Sequence, residues 1–385
     1  GIQETIMICL SILVILKSIK LKKISVNILP NSILWGTLFL ICGFGFVRAK
    51  THQYLVADLK AMFGTIIISI AVVTSIRKLM ASGYDLVDYL FEFLNRYFIL
   101  NDVLIVIQYF VPYFFMNRSA IASVNNRAYF DQLTGLLGIN GTTRWDIWSI
   151  AIIILNFYIA YKRNDTRILK YNIFFFLVST IICMINSARS FLIIAPITVL
   201  MYLFLIRKVE ITSRMKQILA VIGLLIVALI VYSTNTYVND FVNDLISDKF
   251  AIYMSGDINH MIAANDDRVV ATYYAVENGG SYGVGIGVVP MNSTNDQVKY
   301  LGLNSASAYI YMVGTVGYFI WTLCLARIGI QNKRQSVKKT LLYFSYLLLL
   351  SYFLPIYSTI ALFPAIMFIF YVFDLEQEQK GSEKQ

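Results

Sequence analysis

Arg189 sits in Ile185-Asn186-Ser187-Ala188-Arg189-Ser190, the polar break between two apolar runs, residues 171–188 and 190–206. The break is too tight for a true loop, so Arg189 is expected at the start of a helix. A guanidinium beside a helix N-terminus is suited to phosphate, because helix N–H groups and a permanent cation converge there. The alternative is an arginine snorkelling to lipid headgroups. Arg268 lies in the acidic stretch Asn265-Asp266-Asp267-Arg268. Taken by itself it reads as a surface ion pair with its neighbours, which contributes little.

Other polar segments offer less chemistry. The glycine cluster Gly279-Gly280-Ser281-Tyr282-Gly283-Val284-Gly285-Ile286-Gly287 predicts a tight turn suited to close backbone approach. It lacks the strand–helix setting of a nucleotide loop. Asp131 to Gly141 is turn-rich and leads to Arg144, which opens an apolar run; it reads either as a helix entry or as a polar lid over an outward groove. The histidines are His52 and His260, and Cys9, Cys42, Cys183 and Cys324 fall within apolar spans without metal spacing. No metal site and no cofactor is expected. Walker A, HExxH, CxxC and GxSxG patterns are missing from the sequence.

The elements that hold these residues are apolar helices. Of 385 residues, 58% are hydrophobic and 14% charged, against about 25% charged in an ordinary soluble domain. Mean hydropathy is +0.67. Charge-free runs cover 62–76, 171–188, 190–206, 217–233, 305–325 and 340–373, and such lengths read as membrane-spanning helices rather than alternating barrel strands. The expected fold is all-α: one polytopic integral membrane domain over 1–385. It has about eleven spans, at 4–20, 31–48, 58–77, 97–116, 144–161, 169–185, 188–206, 215–233, 305–327, 338–356 and 358–374. The chain starts without Met inside an apolar pattern, which predicts one further span upstream, twelve in all. Residues 85–98 are expected as a separate amphipathic helix on the inner surface.

Lys and Arg concentrate in the connections after the first, third, fifth, seventh and ninth spans and in the tail. The positive-inside rule places these in the cytoplasm and accounts for the net charge of +10 without nucleic acid. Two external connections are then long, about 117–143 and 234–304. The second is the largest polar segment and is rich in Asp, which suits a mobile gate whose chemistry faces outside.

Taken in order, four patterns resemble the O-antigen polymerase and ligase superfamily, the Wzy/WaaL-like membrane glycosyltransferases. They are the Gly135–Asn140 turn opening a span, Ser187–Ser190 starting a very apolar span, Arg268 followed by Gly283, Gly285 and Gly287, and Asn304 and Tyr309 leading to Gly314 and Gly317. They cover roughly 117–327. The resemblance implies a metal-independent transferase of the bacterial cytoplasmic membrane with an outward-facing site. Such an enzyme polymerises undecaprenyl-diphosphate-linked oligosaccharide repeat units into O-antigen, capsular or exopolysaccharide. It further implies that Arg189 and Arg268 hold the diphosphate, and that Asn140, Arg144, Gly285, Asn304 and Tyr309 line the substrate site. Membrane lipid and a chain-length regulator are the implied partners.

The chain departs from the ligase pattern. Ligase-type members carry a histidine where this one reads Leu303-Asn304-Ser305-Ala306-Ser307. That argues for a polymerase and leaves His260, Asp267 and Glu277 as candidates for the general base, with His260 preferred. Two alternatives stand beside this reading: a ligase-type transferase sharing the donor site, and a transporter of lipid-linked oligosaccharide.

Overall fold

The computed structural model describes residues 2–20, 32–83, 85–111, 133–137, 141–186, 188, 190–206, 267–288, 301, 304–330, 337–357 and 359–382. Among them there are helices and turns and no strand. We number the α-helices in chain order: α1 Ile2–Lys20, α2 Ser32–Arg48, α3 Leu55–Ala81, α4 Leu86–Phe110, α5 Gly141–Lys162, α6 Thr166–Ile185, α7 Phe191–Leu200, α8 Asp267–Gly279, α9 Ser305–Gly329, α10 Val337–Phe353 and α11 Phe363–Ser382. The expected span 215–233, most of 117–143 and most of 234–304 lie outside the described residues.

Three helix segments are long and apolar enough to cross a membrane by length and composition: Leu55–Met80, Thr166–Cys183 and Ser305–Gly329. Leu34–Arg48, Phe191–Leu203 and Ile360–Leu375 are shorter apolar helices. The core follows from all-round hydrophobicity. α5 is buried on every face from Ile147 to Leu155, apart from half-buried Trp148, and α11 from Ala365 to Phe373. These two helices pack together, and α3 packs on α11. The outer helices keep large apolar side chains exposed, including Leu13, Leu40, Val47, Phe110, Phe174 and Ile181. Apolar surface of that extent marks contact with lipid or protein.

Helix starts are set by local caps. Asp85 accepts from the Asp88 N–H (3.1 Å), Asp165 from the Arg167 N–H (2.8 Å) and Asn304 from the Ser307 N–H (2.7 Å). The separate amphipathic helix expected at 85–98 is not found. α4 runs unbroken from Leu86 to Phe110, because no Gly or Pro interrupts the chain after the Asp85 cap. Its polar residues Asn95, Asn101, Asp102 and Gln108 turn inward, while Glu92 and Arg96 stay exposed. Asn95 and Asn156 exchange amide hydrogen bonds of 2.8 and 3.0 Å between α4 and α5.

Polar junctions collect at two ends of the bundle. At one end Lys162 pairs with Asp85 (3.2 Å) and Arg163 with Asp88 (3.1 Å), while Arg77 donates to the Ile330 carbonyl (3.3 Å). There too Arg327 donates to Thr340 (3.0 Å) and Lys339 to Asp374 (2.7 Å). This end gathers the last turns of α3, α5 and α9 and the starts of α4 and α10, whose connections the charge count had grouped together. The starts of α3, α5, α7, α8 and α9 lie at the other end.

α9 is broken within its length. Gly314 has φ 76°, ψ 173°, and the segment after α8 fills the break. Val284 N–H donates to Tyr311 O (2.8 Å) and Gly285 N–H to Met312 O (3.0 Å). Across the break, Thr315 N–H donates to Gly280 O (3.0 Å) and Val316 N–H to Ser281 O (3.3 Å). The glycine turn also reaches α2 and α3. Ile286 N–H donates to Gly45 O (3.1 Å) and Gly287 N–H to Asp58 Oδ2 (2.9 Å). This part of the long connection is therefore packed against the bundle.

Candidate functional site

The end that carries the starts of α5, α7, α8 and α9 holds most of the described residues singled out in the sequence. Position 189 itself lies outside the described residues, as do His260, Asn140 and Ser187. Its neighbours are described. The Ala188 N–H donates to Asn186 Oδ1 (3.1 Å), and Ser190 Oγ donates to Asp146 Oδ2 (2.5 Å). Asp146, in the second turn of α5, is 1% exposed, and its second oxygen, Oδ1, has no partner among the described residues. Ser149 Oγ and Asn186 Nδ2 are likewise buried without described partners.

Arg268 stands exposed at the start of α8. The side chains of Asp266 and Asp267, the neighbours with which the sequence expects it to pair, lie outside the described residues. Asn304 fixes the start of α8 against that of α9: its Nδ2 makes long contacts to the Arg268 carbonyl (3.5 Å) and Thr272 Oγ1 (3.4 Å). Asn304 is fully buried and serves at once as cap and tether.

Arg144 donates to the Leu137 carbonyl (3.3 Å), and its Nε is buried without a described partner. The Gly135–Leu137 turn beside it is held by α4. Gly135 N–H donates to Gln108 Oε1 (2.9 Å) and Leu136 N–H to Asn101 Oδ1 (2.8 Å). Trp145 Nε1 donates to Asp102 Oδ1 (2.8 Å), so α4 also orients the residue before Asp146. Asp102 and Tyr171 form part of the wall of an otherwise apolar cavity of about 400 Å³ between α4 and α6.

Tyr309 and Gly285 are placed differently from the rest. Tyr309 is wholly enclosed, between the rings of Tyr357 (4.9 Å) and Trp321 (5.5 Å), and its hydroxyl has no described partner. Gly285, at φ 116°, meets the Ala49 backbone, where an added Cβ would come within 2.6 Å of Ala49 Cα. Glu277 is exposed on α8. The structure thus brings Arg268, Asn304 and the flanks of position 189 to one end, with Arg144 beside them.

The sequence reading overlooked Asp146, Asn101, Asp102 and Gln108. The signal was present: ionisable and amide groups inside apolar spans need partners, and Asp146 and Asp102 each interrupt such a run. No group of three or more His, Cys, Asp or Glu suited to a metal occurs among the described residues. Comparison with protein-family models, curated proteins and solved structures finds no match to this chain.

Proposed function

We propose that this chain is a polytopic membrane glycosyltransferase of the Wzy/WaaL-like kind that polymerises undecaprenyl-diphosphate-linked oligosaccharide on the outer face of the bacterial cytoplasmic membrane. The observation that supports the reading is that the starts of α5, α7, α8 and α9 share one end: Asp146 holds Ser190, the neighbour of position 189, and Asn304 holds the start of α8 at Arg268. The gathering of Lys- and Arg-rich connections at the opposite end supports the assigned sidedness. The exposed apolar flanks support immersion in lipid.

In this mechanism a hydroxyl of the incoming repeat unit attacks the anomeric carbon at the reducing end of the growing chain. The new glycosidic C–O bond forms as the bond to the diphosphate oxygen breaks, and undecaprenyl diphosphate leaves. The hydroxyl proton passes to a base, for which His260, Asp267 and Glu277 remain the candidates. Charge develops on the diphosphate, and Arg189 and Arg268 stabilise it, because guanidinium stays ionised and grips phosphate in two-pronged fashion. Purified chain given a synthetic lipid-diphosphate repeat unit, without nucleotide sugar or metal, should build a ladder of longer glycans.

A transporter of lipid-linked oligosaccharide is the second reading, favoured by the break in α9 at Gly314, since discontinuous helices are a transporter device. Translocation of the lipid across vesicles without chain growth would select it. A ligase-type transferase would pass glycan to a different acceptor and build no ladder.

A further inference from the structure

Serine and threonine hydroxyls inside a helix commonly return to the carbonyl one turn back. Ser69, Thr180, Thr198 and Thr322 do so, at 2.6, 2.9, 2.7 and 2.9 Å. Ser149 on α5 and Ser179 on α6 do not; both are 0% exposed, and neither hydroxyl has a partner among the described residues. Two acceptors on the same helices share that state, Asp146 Oδ1 and Asn172 Oδ1. Asp146 accepts from Ser190 through Oδ2 (2.5 Å), and Asn172 Nδ2 donates to the Ile153 carbonyl (3.0 Å).

The last bond sets the register of α5 against α6, which pack together as a hairpin and so run antiparallel. Seven residues from it, roughly 10 Å along either helix, stand Asp146 and Ser179, which therefore lie at one depth. Positions 146, 149 and 153 form one stripe of α5, and 172 and 179 one stripe of α6. Both stripes face the seam, because the Asn172–Ile153 bond crosses it. Asp146 Oδ1, Ser149 Oγ and Ser179 Oγ then gather within about one turn of depth, and Asn172 Oδ1 lies further toward the Lys162 end of α5.

We propose that the α5–α6 seam is a water-binding site, in which ordered waters bridge Asp146 Oδ1, Ser149 Oγ and Ser179 Oγ and reach Asn172 Oδ1 at the inner end of the file. The chemistry of the four atoms selects the ligand. All are oxygens; the hydroxyls can donate or accept, whereas the carboxylate and amide oxygens only accept. Water donates twice and so joins acceptor to acceptor. Buried polar atoms without a protein partner are met by such waters in folded chains, and left dry they would carry their full desolvation cost. Asp146 thereby stays hydrated at 1% exposure, which lets a carboxylate persist inside an apolar span. The inference does not depend on the polymerase reading and holds equally for a transporter.

Radiolytic hydroxyl-radical footprinting of the full wild-type chain in detergent reads trapped water directly, because radicals formed on a bound water oxidise the side chains beside it. Cys183, 0% exposed and one turn beyond Ser179 on the same stripe, should be oxidised. Met367, also 0% exposed but within the apolar core of α11, should not. Labelling of Cys183 no greater than that of Met367 would overturn the proposal. A double-mutant cycle adds a second readout. Ser149→Ala and Ser179→Ala should each lower the melting temperature by about 2–4 °C, and the double variant by little more than either, since the shared waters are lost once. Unchanged or raised melting temperatures would mark hydroxyls that were dry and would overturn the site, as would losses that simply add. A melting temperature that falls when sodium is replaced by choline at constant ionic strength, and falls less in Ser179→Ala, would make the occupant a cation and overturn the assignment to water.

Discussion

Gly283 and Gly314 meet backbone to backbone. Both have left-handed φ angles, 75° and 76°. A Cβ on Gly283 would stand 2.2 Å from the Met312 carbonyl oxygen, and one on Gly314 2.2 Å from that of Ser281. Neither overlap can be relieved by a side-chain rotation, because backbone stands on both sides. Gly283→Ala and Gly314→Ala should each destabilise by more than about 3 kcal/mol, the sum of left-handed strain and overlap. Gly280→Ala is the internal control. It shares a positive φ of 55° but has nothing within 4 Å, so only about 1–2 kcal/mol is expected. Thermal unfolding in detergent measures all three, and equal losses would contradict the account.

The Gly135–Leu137 turn depends on two buried acceptors of α4. Asn101→Ala or Gln108→Ala leaves a backbone N–H unmet and should destabilise by about 1–3 kcal/mol. Gly135→Ala should do worse, since its φ is 60° and a Cβ would fall 2.6 Å from Asn101 Oδ1. The melting temperature of Gly135→Ala should fall below those of Asn101→Ala and Gln108→Ala.

At the opposite end, Lys339 and Asp374 form a buried pair at 2.7 Å, with side chains 9% and 4% exposed, and Tyr343 Oη donates to the same carboxylate oxygen at 2.9 Å. Lys339→Met strips the cation from that carboxylate and should destabilise by about 3–5 kcal/mol. Replacing Asp374 by Leu in the same chain should recover most of the loss. No recovery on the melting curve would show that the helix contact, not the charge, is at stake.

The two ends should face opposite sides of a membrane. In a chain freed of its four cysteines, a new cysteine at Arg163 should react with an impermeant maleimide only from the cytoplasmic side. One at Tyr282, which is 60% exposed beside the glycine turn, should react only from outside. Labelling of both from one side would contradict the assigned topology.

Much of the helical layout was legible in the sequence, because long apolar runs dominate it. The runs expected at 58–77, 144–161, 169–185 and 305–327 lie within or nearly coincide with α3, α5, α6 and α9. Asn304 could be singled out as a polar residue leading into a span and Arg268 as the arginine of the long connection, and they do stand together; that Arg268 opens a helix was not legible. What escaped was pairing across distance. Nothing near Asp146 in sequence announces that its partner is Ser190, forty-four positions on. Gly314 gave no local sign of a break either, since a glycine inside an apolar helix is common; the break exists because the segment at 280–285 supplies the lost hydrogen bonds. The 85–98 segment misled for a related reason. Glu92 and Arg96 do face outward, but Asn95 on the same segment is matched by Asn156 inside the bundle, and the helix runs on into the apolar residues that follow.

Turnover of a synthetic undecaprenyl-diphosphate repeat unit by purified chain, with no nucleotide sugar and no metal, tests the central claim most directly. The account predicts a ladder of longer glycans with wild type and none with Arg189→Ala or Arg268→Ala, each variant still folded. A folded wild type that lengthens no glycan, or variants that build the same ladder, would contradict it.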